Sequence, residues 1–101
     1  MNSKVLITPS AEADLDAVFS WYEDKRKGLG FDFLLQIDAG FHFIERNPMV
    51  SPQEYKETRK YFIKRFPYKI IYLVEDNRIV ILAVLHGKRS PELLKTRIDE
   101  A

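Results

Sequence analysis

At 101 residues, with 46% hydrophobic and 13% aromatic side chains, the chain has the length and composition of one globular domain, not of a disordered segment. Charged residues make up 31%, yet the formal net charge is only +1, which excludes a histone-like polycation or an acidic tail as the overall character. There is no cysteine, so disulfide frameworks and cysteine-based zinc sites are excluded.

The predicted elements begin with a short β-branched strand, Lys4–Thr8. Thr8 then suits a helix cap and Pro9 the first helical position, where a missing N–H costs nothing. Glu12, Asp14 and Asp16 follow near the positive end of that helix dipole. Leu15, Val18, Phe19 and Tyr22 recur on one helical face. Lys25-Arg26-Lys27 suits a helix C-terminus, and Gly28 a left-handed cap. A second helix starts near Gly30, with Phe33, Leu34, Ile37, Phe41 and Ile44 as its stripe, and stops at Asn47-Pro48. About two residues join the helices, which makes them antiparallel neighbours.

Met49–Glu54 reads as a loop. Thr58–Phe66 reads as a strand whose register the pattern leaves open, broken by Pro67. Tyr68–Glu75 and Arg78–His86 are strands that are apolar on both faces, as central strands are. Asp76-Asn77 between them suits a two-residue hairpin turn. Gly87–Ser90 turns away, and Pro91–Ile98 can form a short helix capped by Ser90. The expected fold is α+β over a single domain, residues 1–101. An antiparallel helical hairpin packs on a small, mostly antiparallel sheet in the order β-α-α-β-β-β, with a possible short C-terminal helix. Leu15, Val18, Phe19, Ile37 and Phe41 are expected between hairpin and sheet, facing Ile70, Tyr72 and Ile81. The other sheet face needs cover from the tail or from a partner.

Charge is uneven along the chain. Residues 1–50 hold five basic and eight acidic residues; residues 51–101 hold eleven and seven. The densest basic stretch is Lys56, Arg59, Lys60, Lys64, Arg65 and Lys69, which fits either an anionic partner or a solvated strand edge. Arg59, Arg65, Lys69 and Arg89 are candidates to hold phosphate together. His86 ends a strand just before Gly87-Lys88-Arg89, and can serve as an acid or base or simply bond a neighbouring carbonyl. His42 is expected to be partly exposed on the second helix, and the carboxylates Asp14, Asp16, Glu23 and Asp24 to lie on a solvated face. The glycines lack nucleotide-loop spacing, and the two distant histidines make no metal site, so neither metal nor cofactor is expected. The run MNSKVLITPS is too short in apolar residues for a signal peptide, and no stretch approaches the ~18 apolar residues of a membrane span. A cytoplasmic location, away from membranes, is expected.

The run FPYKIIYLVEDNRIVILAVLHGKRSP, Phe66 to Pro91, resembles the signature region of the RelE/ParE superfamily of type II toxin–antitoxin toxins. The Asn47-Pro48 helix end, the arginine-bearing strand before Phe66-Pro67-Tyr68 and the element order are similar too. The resemblance implies a plasmid-stabilisation type of toxin neutralised by a cognate antitoxin, with a homodimer as an option. RelE-like members cleave mRNA on the ribosome, and ParE-like members poison DNA gyrase. A RelE-type nuclease pattern places Lys60, Lys69 and Arg89, with His86 as a stand-in for the missing C-terminal tyrosine, whose region holds Leu93-Leu94-Lys95. Lys69 stands where RelE has an arginine and so lacks the planar fork that grips phosphate. The His-Gly-basic-Arg ending resembles ParE more closely. The ParE-like reading makes Arg59, Lys64, Arg65, Tyr68, Lys88 and Arg89 candidates for target or phosphate binding. A RelE-like ribosome-dependent endonuclease is the alternative, and a non-toxic binding protein of the same fold a further one.

Overall fold

Thr8 shows how the first helix is set in place. Its hydroxyl accepts the Ala11 N–H at 3.2 Å and donates to the Ile81 carbonyl at 2.9 Å, so a single cap ties the helix start to a distant strand. The computed structural model describes residues 4–88 and 91–100. In chain order the elements are β1 (Lys4–Ile7), α1 (Pro9–Lys25), α2 (Leu29–Arg46), β2 (Arg59–Phe62), β3 (Tyr68–Glu75), β4 (Arg78–His86) and α3 (Pro91–Glu100). The expected α+β fold and element order are therefore found, and the C-terminal helix is present. Arg89 and its expected neighbour in the turn, the cap Ser90, lie outside the described residues.

The four strands form one sheet in the order β1-β4-β3-β2. β1 runs parallel to β4, and the other pairs are antiparallel. β3 and β4 are central, as their two-sided apolar character implied. Asp76 takes the left-handed turn conformation at φ 53°, and Glu75 pairs with Arg78 across the two-residue turn.

Two expectations about chain geometry are corrected. The strand read over Thr58–Phe66 is only Arg59–Phe62. Thr58 folds back on its own loop, donating to the Tyr55 carbonyl at 2.6 Å, and Arg65 adopts φ 71°, which no strand tolerates. The helical connection is Arg26–Gly28, three residues rather than two: extended Arg26 closes α1, and Gly28, left-handed at φ 91° as expected, is the N-cap of α2 and not the C-terminal cap of α1. Glu23 is not merely solvated: its carboxylate accepts the N–H groups of Gly28 and Gly30, both at 2.9 Å, and so caps the start of α2 from the end of α1.

The helical hairpin covers one face of the sheet. Phe33, Ile37 and Ile44 pack with Ile70, Tyr72, Ile79, Ile81 and Val84 in the main core. Leu15, Val18 and Phe41 are half-buried at its rim, and Phe19 instead lies against Gly30 and the Phe31 ring between the helices. On the opposite face Ile71, Ala83 and Leu85 pack under Leu94 of α3. β4 supplies both faces irregularly, because Ile71 pairs with Ala83 but Tyr72 with Ile81, leaving Leu82 as the extra residue of a bulge.

Candidate functional site

The bulge organises the second face of the sheet. The N–H of Val84 is bonded by Asp14 Oδ2 from α1 at 2.9 Å. The same carboxylate takes Arg97 of α3 in a two-pronged pair at 2.9 and 3.2 Å, and Arg97 also donates to the Leu82 carbonyl at 3.3 Å. Asp14 is thus a half-buried tie between α1, β4 and α3, not the solvated residue expected of it. The sequence signal was masked because both of its partners are seventy or more positions away.

α3 covers only part of this face. Beyond it Leu73, Val80 and Leu82 form the floor of a groove of about 880 Å³, walled by Thr8, Pro9, Lys56, Glu75 and Ile98. This is the uncovered apolar surface expected from a short chain with one helical hairpin.

The basic stretch does not stay together. Lys69 is 6% exposed, and its ammonium lies 3.2 Å from Glu54 Oε1. Lys60 reaches the other oxygen of the same carboxylate at 2.7 Å. Burial works to raise the Glu54 carboxyl, but hydrogen bonds and charge from Lys60 and Lys69 outweigh it and hold the group below the usual carboxylate range. Arg59 donates to the carbonyls of Met49 and Ser51 at 3.2 and 2.7 Å, pinning the loop after α2. Tyr72 helps, donating to the Pro48 carbonyl at 2.9 Å, and its burial raises its phenol above the ordinary value despite Ser51 and Arg59. Lys56 pairs with Asp99 of α3 on the surface. Of the six cations, Lys64 and Arg65 remain as exposed cations outside these internal ties, with Arg65 over the Phe66 ring and 3.8 Å from Asp32.

His86 sits at the opposite end of β4 from the hairpin turn, facing its cross-strand partner Tyr68 with ring centres 5.3 Å apart. Its Nδ1 accepts the Lys88 N–H at 3.1 Å, so the bond is to a donor and not to the carbonyl expected. Tyr68 in turn lies 6.2 Å from Tyr22, a residue read from sequence only as core. Burial, reinforced by Tyr68, raises the Tyr22 phenol. Lys88 is exposed, and Arg89 lies outside the described residues. Lys60 and Lys69 face the side of the sheet away from Tyr68 and His86, following the strand alternation. The structure therefore does not gather the candidate nuclease residues Lys60, Lys69 and His86 at one point.

A family model described as the ParE toxin of the type II toxin–antitoxin system, parDE, matches residues 5–91. The chain belongs to this family. It is 28% identical over 100 residues to Toxin ParE2 of Mycobacterium tuberculosis, covering 98% of this chain and 95% of that one. Among solved structures it resembles the chromosomal ParDE system from P. aeruginosa, at TM-score 0.75 and 20% identity over 83% of this chain and 95% of that one. It also resembles the RelBE2 toxin–antitoxin complex from Mycobacterium tuberculosis, at TM-score 0.59 and 21% identity over 85% and 99%. Both structural likenesses are of fold. In this ParE-family chain no helix among the described residues is long and apolar enough to cross a membrane. Among those residues no group of three or more histidine, aspartate or glutamate side chains is placed to hold a metal ion.

Proposed function

We propose that this ParE-family toxin, working in the cytoplasm as one domain over residues 1–101, inhibits DNA gyrase and does not cleave RNA. The observation that carries this reading is Glu54. It neutralises Lys69 and Lys60, the cations a RelE-type site needs for the scissile phosphate, while Arg59 is committed to backbone carbonyls. Metal-free cleavage of RNA also requires an acceptor for the 2′-OH proton and a donor for the leaving 5′ oxygen, each within ~3 Å of substrate. His86 Nδ1 is occupied by the Lys88 N–H, and the C-terminal tyrosine of RelE-type enzymes has no counterpart. A gyrase inhibitor needs only a complementary surface, for which Lys64, Arg65, Tyr68, Lys88 and Arg89 are the candidates.

The cognate antitoxin is assigned to the groove beside α3. An amphipathic segment would set apolar side chains on Leu73, Val80 and Leu82 and an acidic one near Lys56. The test pairs gyrase supercoiling with primer-extension mapping of ribosome-bound mRNA. Loss of supercoiling with intact mRNA, toxicity retained in His86→Ala and weakened by Arg65→Glu, is the expected result. Codon-specific cleavage abolished by His86→Ala would put the RelE-like nuclease first. Inactivity in both assays would leave a non-toxic binding protein.

A further inference from the structure

The end of the sheet where β4 finishes carries aromatic rings and cations in one continuous patch. Trp21 and Tyr22 are 5.1 Å apart, Tyr22 and Tyr68 6.2 Å, and Tyr68 and His86 5.3 Å. Trp21 is 55% exposed, and the Lys25 ammonium lies 4.6 Å from its ring centre. Arg65 lies over Phe66, whose ring touches Tyr22 at 4.9 Å. Asp32 links Arg65 to Arg26, each at 3.8 Å, and the Lys88 backbone is bonded to His86. Lys25, Arg26, Arg65 and Lys88 are all exposed. Half-buried rings explain the packing of Tyr22 and Tyr68, but they do not explain a tryptophan left in water under the Lys25 ammonium.

We infer that this patch binds single-stranded polynucleotide, with Trp21 stacking on a base and Lys25, Arg26, Arg65 and Lys88 holding phosphates. Aromatic faces interleaved with cations fit bases and phosphates together, because every base offers a π-face whatever its sequence. An acidic protein segment would use the cations alone and leave Trp21 without a role. The site is separate from the Glu54–Lys69 cluster and from the groove; it shares Arg65, Tyr68 and Lys88 with the proposed gyrase-binding surface, but oligonucleotide binding is read without gyrase and so fails or holds apart from that reading.

The test uses the full chain and a fluorescein-labelled twenty-residue oligothymidine, followed by anisotropy at 50 and 200 mM salt. Oligouridine of the same length runs in parallel to distinguish DNA from RNA as the source. The chain has one tryptophan, so base stacking is read directly as quenching of its emission. The expected result is binding below ~100 µM that weakens steeply with salt, with tryptophan quenching. Trp21→Ala should weaken it ~5-fold or more. The double variant Lys25→Glu/Arg65→Glu should weaken it by ~10-fold or more, while Arg78→Glu at the far end of β4 leaves it unchanged. Circular dichroism confirms that each variant is folded. The inference is overturned by absence of binding to both oligonucleotides at 50 mM salt. It is overturned equally by binding that Arg78→Glu reduces as much as the patch variants. Poly-L-glutamate binding as tightly as the oligonucleotides would overturn it in favour of an acidic protein partner.

Discussion

Replacing Glu54 with glutamine is expected to cost the fold about 2–4 kcal/mol at pH 7. The substitution leaves Lys69, 6% exposed, with its charge buried and its counter-charge gone. Breaking a buried ion pair by removing one partner costs ~3–5 kcal/mol. Two features reduce that figure here. Lys60 keeps 30% of its side chain in water and can turn outward, and the glutamine carbonyl still accepts one hydrogen bond. In a chain of this size ~1 kcal/mol shifts the melting temperature by ~4–8 °C, so a fall of roughly 8–32 °C is expected. Thermal unfolding followed by circular dichroism measures it. The double variant Glu54→Gln/Lys69→Met should recover much of the loss, because it removes the stranded charge. The gap must also depend on pH. Because the Glu54 carboxyl is held below its ordinary value, its contribution is fully present above the unfolded carboxyl value of ~4.3 and is lost as pH falls through the depressed folded value. The melting curves of parent and variant should therefore converge in strong acid. A loss under ~1 kcal/mol at pH 7, or a gap that persists unchanged to pH 2.5, would refute the assignment of Glu54 as the neutralising partner.

Asp14→Ala should loosen α3, because Val84 loses its acceptor and Arg97 its two-pronged partner; faster tryptic cleavage at Lys95 with β4 still protected is the readout. Phe33→Ala should cost ~3–5 kcal/mol in denaturant unfolding, since the ring is fully buried among Tyr22, Phe66 and Tyr68. Gly30→Ala should cost ~1–3 kcal/mol in the same assay, because its Cβ would sit 2.7 Å from the Phe19 carbonyl oxygen where the two helices meet. Tyr72→Phe should lose ~1–2 kcal/mol by stranding the Pro48 carbonyl, measured as a lower unfolding midpoint.

What the sequence made legible was local. Thr8-Pro9, Asn47-Pro48 and Asp76-Asn77 are signals whose partners lie within a few residues, and the helix ends and the hairpin turn fall where they indicate, whereas Gly28 keeps its left-handed conformation but opens α2 instead of closing α1. The two-sided apolar strands likewise announced their central place. The site was less legible because its deciding contacts join distant positions. Glu54 meets Lys69 fifteen residues on, across the sheet, so six clustered cations looked like one surface when three of them are held internally. The bulge at Leu82 was hidden in a run of apolar residues with no polar alternation to betray a change of face. His86 and Tyr68 were both singled out, but the contact of Tyr68 with Tyr22 depends on how the hairpin lies over the sheet, which no local pattern encodes.

The parallel pairing of β1 with β4 has a consequence for when this protein can act. Thr8 bonds to a carbonyl 73 positions later, so the first strand has no place to dock until β4 has been synthesised. At ~5–20 residues per second that delay is roughly 4–15 s, during which the helical hairpin can form but its apolar stripe has no sheet to cover. The groove needs residues from β1 through α3, and the Tyr68–His86 pair needs the end of β4. Neither surface exists on a nascent chain. A chain cut short before Ile79 therefore lacks both the groove and the Tyr68–His86 pair.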